Sequence, residues 1–288
     1  MCNRTKGILF IILSAFGFAM MSAFVKLSGD LPSFQKTFFR NLISCIISFF
    51  IIIKNKESFF GKKENQKTLL LRSAFGTLGI VLNFYAIDHL ILSDANMLNK
   101  LSPFFVIIFS AIFLKETIKT NQILAVIIAF LGALFIIRPA LSLDLIPYII
   151  GIFSAISAAA AYTCVRFLGG KEKYYTVVFY FSFFSLIVLF PFLVLSYKPM
   201  TVMQLFYLLM AGTFATIGQF GITLAYKYAP AKEISIFDYS NIIFSAIISM
   251  IVFNQTPDKF SFFGYIIIFI SSFYMFIYNK KLDKLNIK

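Results

Sequence analysis

Apolar residues run along this chain in blocks of about bilayer length, not in the half-polar stripes of a water-soluble protein. Ten blocks are legible: 7–27, 34–53, 68–86, 95–114, 122–137, 148–168, 175–195, 205–226, 234–253 and 262–278. A helix needs about 20 apolar residues to cross the hydrocarbon core, and in lipid it satisfies its backbone hydrogen bonds internally. The sixth and eighth blocks are less uniformly apolar than the rest. The connections are short, and the longest, 54–67, is charged and leaves no room for a soluble domain. The pattern predicts an all-α integral membrane protein with ten transmembrane helices.

The blocks also repeat. A shift of 139 positions lays Phe75, Thr77 and Gly79 on Phe214, Thr216 and Gly218. The same shift lays Ala86 on Ala225, Phe105 on Phe244, Ser110 on Ser249 and Thr117 on Thr256, without a gap. Apolar composition alone would produce Ile and Phe coincidences, so the Thr, Ser and Gly matches are the informative ones. The halves are 7–139 and 147–278, with five blocks each. An odd number turns the second half upside down in the membrane, giving two inverted five-helix repeats. Their pseudo-symmetry axis lies in the membrane plane, the arrangement that supports alternating access. Small residues at packing intervals, such as Ser14, Gly17, Ser22, Gly76, Gly79, Ser154, Ala158, Ala161, Gly218 and Gly221, let helices approach closely.

Composition sharpens this reading. The 288 residues are 60% hydrophobic and 13% charged, with mean hydropathy +0.88, against about 25% charged residues in soluble domains. A net charge of +14 raises the question of nucleic acid, but the basic residues lie between the apolar blocks. With both termini in the cytoplasm, the outer segments hold only Lys26, Lys36, Arg138, Lys198 and Lys259. The inner segments hold most of the others, which is the positive-inside pattern and needs no nucleic-acid partner. Block 7–27 is too long for a signal-peptide core and reads as the first membrane helix. Trp is absent among 39 Phe and 14 Tyr, so Tyr must supply any interfacial belt.

Cys2, Cys45 and Cys164 share no ligand spacing, and His89 is the only histidine, so neither a metal nor a cofactor is expected. Paired catalytic carboxylates, a phosphate-binding glycine loop and a nucleophile elbow are also missing, so an enzyme is not expected. With no nucleotide-binding motif, energy would come from a proton or sodium gradient or from the substrate's own.

The chain resembles the drug/metabolite transporter superfamily, in particular proteins with two EamA-type repeats. The resemblance rests on Asn83-Phe84-Tyr85-Ala86-Ile87, Ser93-Asp94-Ala95, Leu101-Ser102-Pro103 and Phe113-Leu114-Lys115-Glu116-Thr117, and on Gly132 with Ile136-Ile137-Arg138-Pro139. Arg40-Asn41-Leu42 is similar to the arginine that opens the second helix of such proteins. The second copy departs from the pattern, with Ile242 in place of Pro103 and Gln255 in place of Glu116. The resemblance implies a ten-helix transporter of the bacterial plasma (inner) membrane. Its third, fourth, eighth and ninth helices, with the first and sixth, would surround a central cavity.

An ionisable group deep in a bilayer costs about 2.5–3.5 kcal/mol on the insertion scale and calls for a reason. Asp238 lies roughly 7 Å inside the ninth block and Lys100 roughly 9 Å inside the fourth, at 1.5 Å per residue. Counted from opposite sides of a core about 30 Å thick, they are expected as two separate cavity groups in preference to the alternative, a direct salt bridge. One cation and one anion suit a zwitterion, with Lys100 near a carboxylate and Asp238 near an amine. Each also has a structural alternative: Lys100 snorkelling to the headgroups, and Asp238 bonding to Asn241 or Tyr239. By the repeat, Asn99 pairs with Asp238 and Lys100 with Tyr239. Asn83, Tyr85, Asn99, Tyr162, Gln219, Tyr239 and Asn241 complete the expected substrate-binding set. Asp238 is the expected proton-coupling residue, as the one acid within a block. Arg40 is expected to be structural, locked to Asp88 or Asp94 at the outer mouth, with Pro103 and Glu116 also structural.

The expected function is alternating-access transport of a small organic metabolite, foremost an amino acid or related amine, by a monomer or homodimer in the lipid bilayer. The alternative is export of drugs or cationic metabolites, with Asp238 and the many Phe rings holding an aromatic cation. A lipid-modifying enzyme would need a His or carboxylate cluster that is missing. A sensor would not need two bistable halves.

Overall fold

The computed structural model describes residues 3–114, 120–137, 145–168, 171–228 and 235–285. Its α-helices are α1 (Asn3–Leu27), α2 (Ser33–Asn55), α3 (Gln66–His89), α4 (Leu92–Asn99), α5 (Ser102–Leu114) and α6 (Thr120–Ile137). They continue as α7 (Ile146–Leu168), α8 (Tyr174–Leu195), α9 (Val202–Tyr228), α10 (Ser240–Phe253) and α11 (Lys259–Leu285). Two 3₁₀ turns, Lys63–Asn65 and Ser235–Tyr239, precede α3 and α10.

The helices begin and end for local reasons. Gly29 takes φ +69° in the turn after α1, a conformation that costs glycine little, and Pro32 then precedes α2. Lys56 closes α2 in the left-handed region and returns its N–H to the carbonyls of Ile52 and Ile53. Two of the expected helices are not continuous. The fourth block starts earlier, at Leu92, and breaks at Lys100-Leu101 into α4 and α5. Pro103 has no N–H to offer the Asn99 carbonyl, so the ladder cannot run through. The ninth block breaks at the equivalent place, where the 3₁₀ turn ends at Tyr239, although Ile242 stands where Pro103 would.

Among the described residues, eight segments are long and apolar enough to cross a membrane: Thr5–Leu27, Ser33–Asn55, Lys63–His89, Leu92–Phe113, Ile146–Val165, Tyr174–Leu195, Val202–Ile222 and Lys259–Tyr278. The fifth and ninth blocks give shorter apolar helices, Ile123–Ile136 and Phe237–Phe253. At 1.5 Å per residue these reach roughly 21–26 Å, less than a core of about 30 Å. The surface is what lipid requires. Phe113, Leu195 and Val202 are largely exposed, while Ser14, Ser48, Asn41, Ser154 and Ser245 are fully or almost fully buried between helices. That inversion of the soluble pattern is stable only with an apolar solvent outside.

Four helix pairs carry the bundle: α1 with α9, α3 with α7, α2 with α8, and α6 with α11. Their contacts come as mirror images, with the register of 139 that relates Gly79 to Gly218 becoming 140 between α1 and α7 and 141 between α2 and α8. The Ser14 hydroxyl donates to the Gly218 carbonyl at 2.7 Å, and the Ser154 hydroxyl donates to the Gly79 carbonyl at 2.9 Å. Phe38 meets Phe190 as Phe49 meets Phe179. Where α6 crosses α11, Gly132 lies against Gly264 and the Ser271 hydroxyl donates to the Ala125 carbonyl at 2.6 Å. The repeat exchanges Gly132 with Ser271 and Ala125 with Gly264, so this crossing maps onto itself. Rising residue numbers on one helix meet falling numbers on the other, so the paired helices are antiparallel. A two-fold axis that exchanges antiparallel helices runs perpendicular to them. The small residues therefore serve close packing: a Cβ at Gly17 would stand 2.9 Å from the Gly218 nitrogen.

A Cβ at position 264 would stand 2.6 Å from the Gly132 carbonyl oxygen. We expect Gly264→Ala to force α6 and α11 apart and to cost about 1–3 kcal/mol. Thermal melting in detergent checks this, with Leu195→Ile, on the lipid-facing surface, leaving the melting temperature unchanged.

Candidate functional site

A cavity of about 160 Å³ lies at the centre of the bundle. A buried water needs about 10–15 Å³ of such space, so the cavity has room for a small organic molecule. Its walls come from both halves. They include Phe18 and Ser22 of α1, Arg40 of α2, Arg72, Gly76, Gly79 and Asn83 of α3, and Asn96 and Asn99 of α4. Lys100 at the helix break, Tyr162 of α7, Phe181 of α8, Gln219 of α9, and Asp238 and Asn241 at the second break complete them.

Lys100 and Asp238 form a direct ion pair through Nζ and Oδ2, with 15% and 23% of their side chains exposed. This overturns the expectation of two separated charges. Counting depth inward from block ends assumed continuous helices, whereas both residues sit at breaks. The repeat exchanges Asn99 and Lys100 with Asp238 and Tyr239, and the ion pair brings the two breaks face to face. Tyr239 closes the junction from behind: its hydroxyl reaches the Lys100 carbonyl at 3.5 Å and hydrogen-bonds with Ser272.

Arg40 is placed differently from expectation. Lys36, one turn nearer the helix start, takes Asp88 at 2.5 Å, and Asp94 accepts the Tyr265 hydroxyl at 2.5 Å. Arg40 instead lines the cavity, 2% exposed, donating from Nη1 to Asn41 Oδ1, while its Nε has no partner. Asn41 Nδ2 in turn donates to Ser185 Oγ at 2.7 Å. Asp238 is also not the one acid in a helix, because α3 extends to include Asp88 and α4 contains Asp94.

Of the other expected residues, Asn83, Asn99, Tyr162, Gln219 and Asn241 line the cavity. Asn99 Nδ2 donates to Ser154 Oγ at 3.2 Å and Asn241 Nδ2 to the Ala15 carbonyl at 2.9 Å, while Asn83 Oδ1 has no partner. Tyr85 lies away from this cavity, stacked on His89 at 4.1 Å. Tyr239 is buried behind the ion pair and does not line the cavity. Pro103 stands at the start of α5, and Glu116 lies outside the described residues. Sequence reasoning missed Arg72 by counting it with the inner-side charges although it lies inside block 68–86. The available signal was its spacing, since Arg72, Gly76, Gly79 and Asn83 form one stripe of α3.

A second, larger cavity of about 820 Å³ opens where α1 ends, lined by Lys26, Asp30, Tyr85, Asp88, His89 and Lys198 among others. It shares no lining residue with the first. Between them the Ser22 hydroxyl donates to Asn96 Oδ1 at 3.1 Å, and Asn96 Nδ2 donates to Ser245 Oγ at 2.8 Å. Lys26 Nζ adds a tie, donating to the Leu90 carbonyl at 2.5 Å and to Gln255 Oε1 at 3.0 Å. At the rim the Lys198 ammonium hydrogen-bonds to Asp30 and holds its carboxyl below the usual carboxylate range. Among the described residues, no cluster of His, Cys, Asp and Glu has metal-binding geometry.

The sequence profile of the EamA-like transporter family matches residues 5–138 and again residues 145–277. The chain belongs to this family. The family domain is present twice, and relatives of the chain are transporters of the drug/metabolite superfamily. The chain is 31% identical to the pseudopaline exporter CntI of Pseudomonas aeruginosa, over 92% of this chain and 94% of that protein. It is 26% identical to human solute carrier family 35 member G1, over 89% and 78%. With the S-adenosylmethionine uptake transporter of Rickettsia bellii the identity is 24%, over 88% and 87%. A solved crystal structure shares the fold with a TM-score of 0.69 at 12% identity, covering 96% of this chain and 99% of that one. The EamA-type chain is thus a multi-pass membrane protein whose named relatives carry metabolites.

The pair at the helix breaks is partly buried, so removing one partner strands a charge. We expect Lys100→Met to destabilise the protein by roughly 1–3 kcal/mol, the low exposure being partly offset by contact with the cavity. Adding Asp238→Asn should recover much of that loss. Melting of the two single variants and the double variant checks it: additive losses would show that the two groups are not coupled.

Proposed function

We propose that the protein is a secondary transporter that moves a small organic metabolite, an amino acid or a related amine, by alternating access. The proposal includes ten crossings, two inverted halves, and both termini on the cytoplasmic side of a bacterial plasma membrane. One observation carries it: the Lys100–Asp238 pair joins the two halves inside the central cavity. The family match and the named relatives, one an exporter and one an uptake transporter, support the transport class.

The chemistry follows from the pair. Opened by water alone, it leaves two charges partly desolvated. A substrate with a carboxylate and an amine offers each charge a new partner, the carboxylate to Lys100 and the amine to Asp238. The substrate thereby lowers the cost of separating the halves, which is the differential affinity that a conformational change requires. A proton on Asp238 would also release Lys100, and this makes Asp238 the coupling residue. The cation-exporter reading is disfavoured by Arg40 and Arg72, which bring two further positive charges to the same cavity.

Flux in proteoliposomes tests this. The lumen holds a mixed pool of amino acids and amines, a pH gradient is imposed, and mass spectrometry identifies what crosses. Selective movement of amino-acid-like solutes is expected, and its pH dependence should vanish in Asp238→Asn. PH dependence that persists in that variant would remove Asp238 from coupling. For orientation, a C-terminal fluorescent fusion should be bright and a C-terminal alkaline phosphatase fusion inactive; the reverse would place the terminus outside.

A further inference from the structure

The charge in the central cavity does not balance. Lys100 and Asp238 neutralise each other, and among the described lining residues Asp238 is the only acid. Arg40 and Arg72 remain, two guanidiniums lining the same cavity. Arginine does not shed its proton to relieve such a site. Arg40 is 2% exposed with its Nε unpartnered, and Arg72 lacks partners at both Nε and Nη1. Buried donors of this kind are costly unless something accepts from them.

The surroundings hold the donors in position without satisfying them. Arg72 lies over the Phe181 ring at 4.0 Å, which fixes the plane of the fork. Gly76 leaves space for it, since a Cβ there would stand 2.8 Å from Arg72 Nη1. Arg40 is steadied by Asn41, itself anchored on Ser185. Planar forks of this kind match the geometry of carboxylate or phosphate oxygens.

We infer that the substrate is a net-negative metabolite with at least two carboxylate or phosphate groups, one of them held by Arg40 and Arg72. The inference rests on the proposed transport function and narrows its substrate class. A neutral amino acid would satisfy the Lys100–Asp238 pair and leave both guanidiniums bare. An acidic or phosphorylated amino compound satisfies all four groups.

Binding to purified protein in detergent tests this separately from transport. The probes are alanine, L-glutamate, succinate, O-phospho-L-serine, inorganic phosphate and putrescine, each titrated while the melting temperature is followed. The expected result is saturable stabilisation by glutamate, succinate or phosphoserine, with alanine and putrescine inert. Carboxylate and phosphate are told apart by comparing succinate with phosphoserine and inorganic phosphate. Arg72→Gln should weaken the effective ligand roughly tenfold or more, and Arg72→Lys, which keeps the charge but loses the fork, should recover part of that. If Arg72→Gln fails to fold, the order of the six probes on wild type and the Arg72→Lys shift still decide. Stabilisation by alanine or putrescine alone, or by no anion, overturns the inference. The flux experiment reads the parent proposal: movement of neutral amino acids with anions excluded refutes only the anionic substrate, whereas absence of any organic flux refutes transport and leaves the binding result standing.

Discussion

An ammonium and a carboxylate meet where two broken helices face each other, and much of the bundle's arrangement follows from keeping them together. Alone, each charge would cost about 2.5–3.5 kcal/mol at mid-bilayer on the insertion scale. Paired, Lys100 and Asp238 reduce that cost, but only if the two halves bring them together. The breaks at Lys100-Leu101 and at the 3₁₀ turn Ser235–Tyr239 do this. Helix ends within a bilayer would be untenable against lipid, and they are tolerated where they line a cavity. The ion pair, the breaks and the cavity therefore depend on one another.

Around that centre the packing is stiff. Gly132 on Gly264, Ser14 on Gly218 and Ser154 on Gly79 bring backbones close enough that a methyl group at several of these points would collide. Contacts of this kind favour motion of helix pairs as units over bending within them. The interactions that tie pairs to one another include polar ones: Ser22 with Asn96 and Ser245, Lys26 with Gln255, Lys36 with Asp88, and the ion pair itself. Hydrogen bonds exchange partners at lower cost than interdigitated glycines separate. An alternating-access cycle would thus work on the polar ties and leave the glycine crossings intact.

The sequence disclosed the large features because they are written in many residues. Ten apolar blocks are legible at once, the register of 139 emerges from Ser, Thr and Gly matches, and two of the matched residues, Gly79 and Gly218, make the mirrored crossings. Single-residue placement was harder, for identifiable reasons. The helix breaks changed the depth of Lys100 and Asp238, and only one break carries a proline to announce it. Arg40 lost its expected acidic partner because Lys36, one turn earlier, reaches Asp88 first. Arg72 sits early in α3, where a basic residue reads as a cytoplasmic anchor, and only its stripe with Gly76, Gly79 and Asn83 betrays the cavity. Tyr85 and Tyr239 have the right chemistry but face a vestibule and the back of the ion pair.

The two halves are alike in backbone and unlike in charge, and that difference bears on how firmly each end of the bundle is held. Glu116 of the first copy has Gln255 as its equivalent in the second. Gln255 accepts from Lys26, which also donates to the Leu90 carbonyl, and closes the end of the bundle next to the vestibule. A glutamate there would turn the contact into a partly buried ion pair, harder to open because each charge would have to be resolvated alone. The neutral amide keeps the tie directional but lets water replace it at little cost. A perfectly symmetric pair of repeats would give both faces the same energy of opening. Substitution at one polar tie, with the glycine crossings untouched, is enough to make them differ.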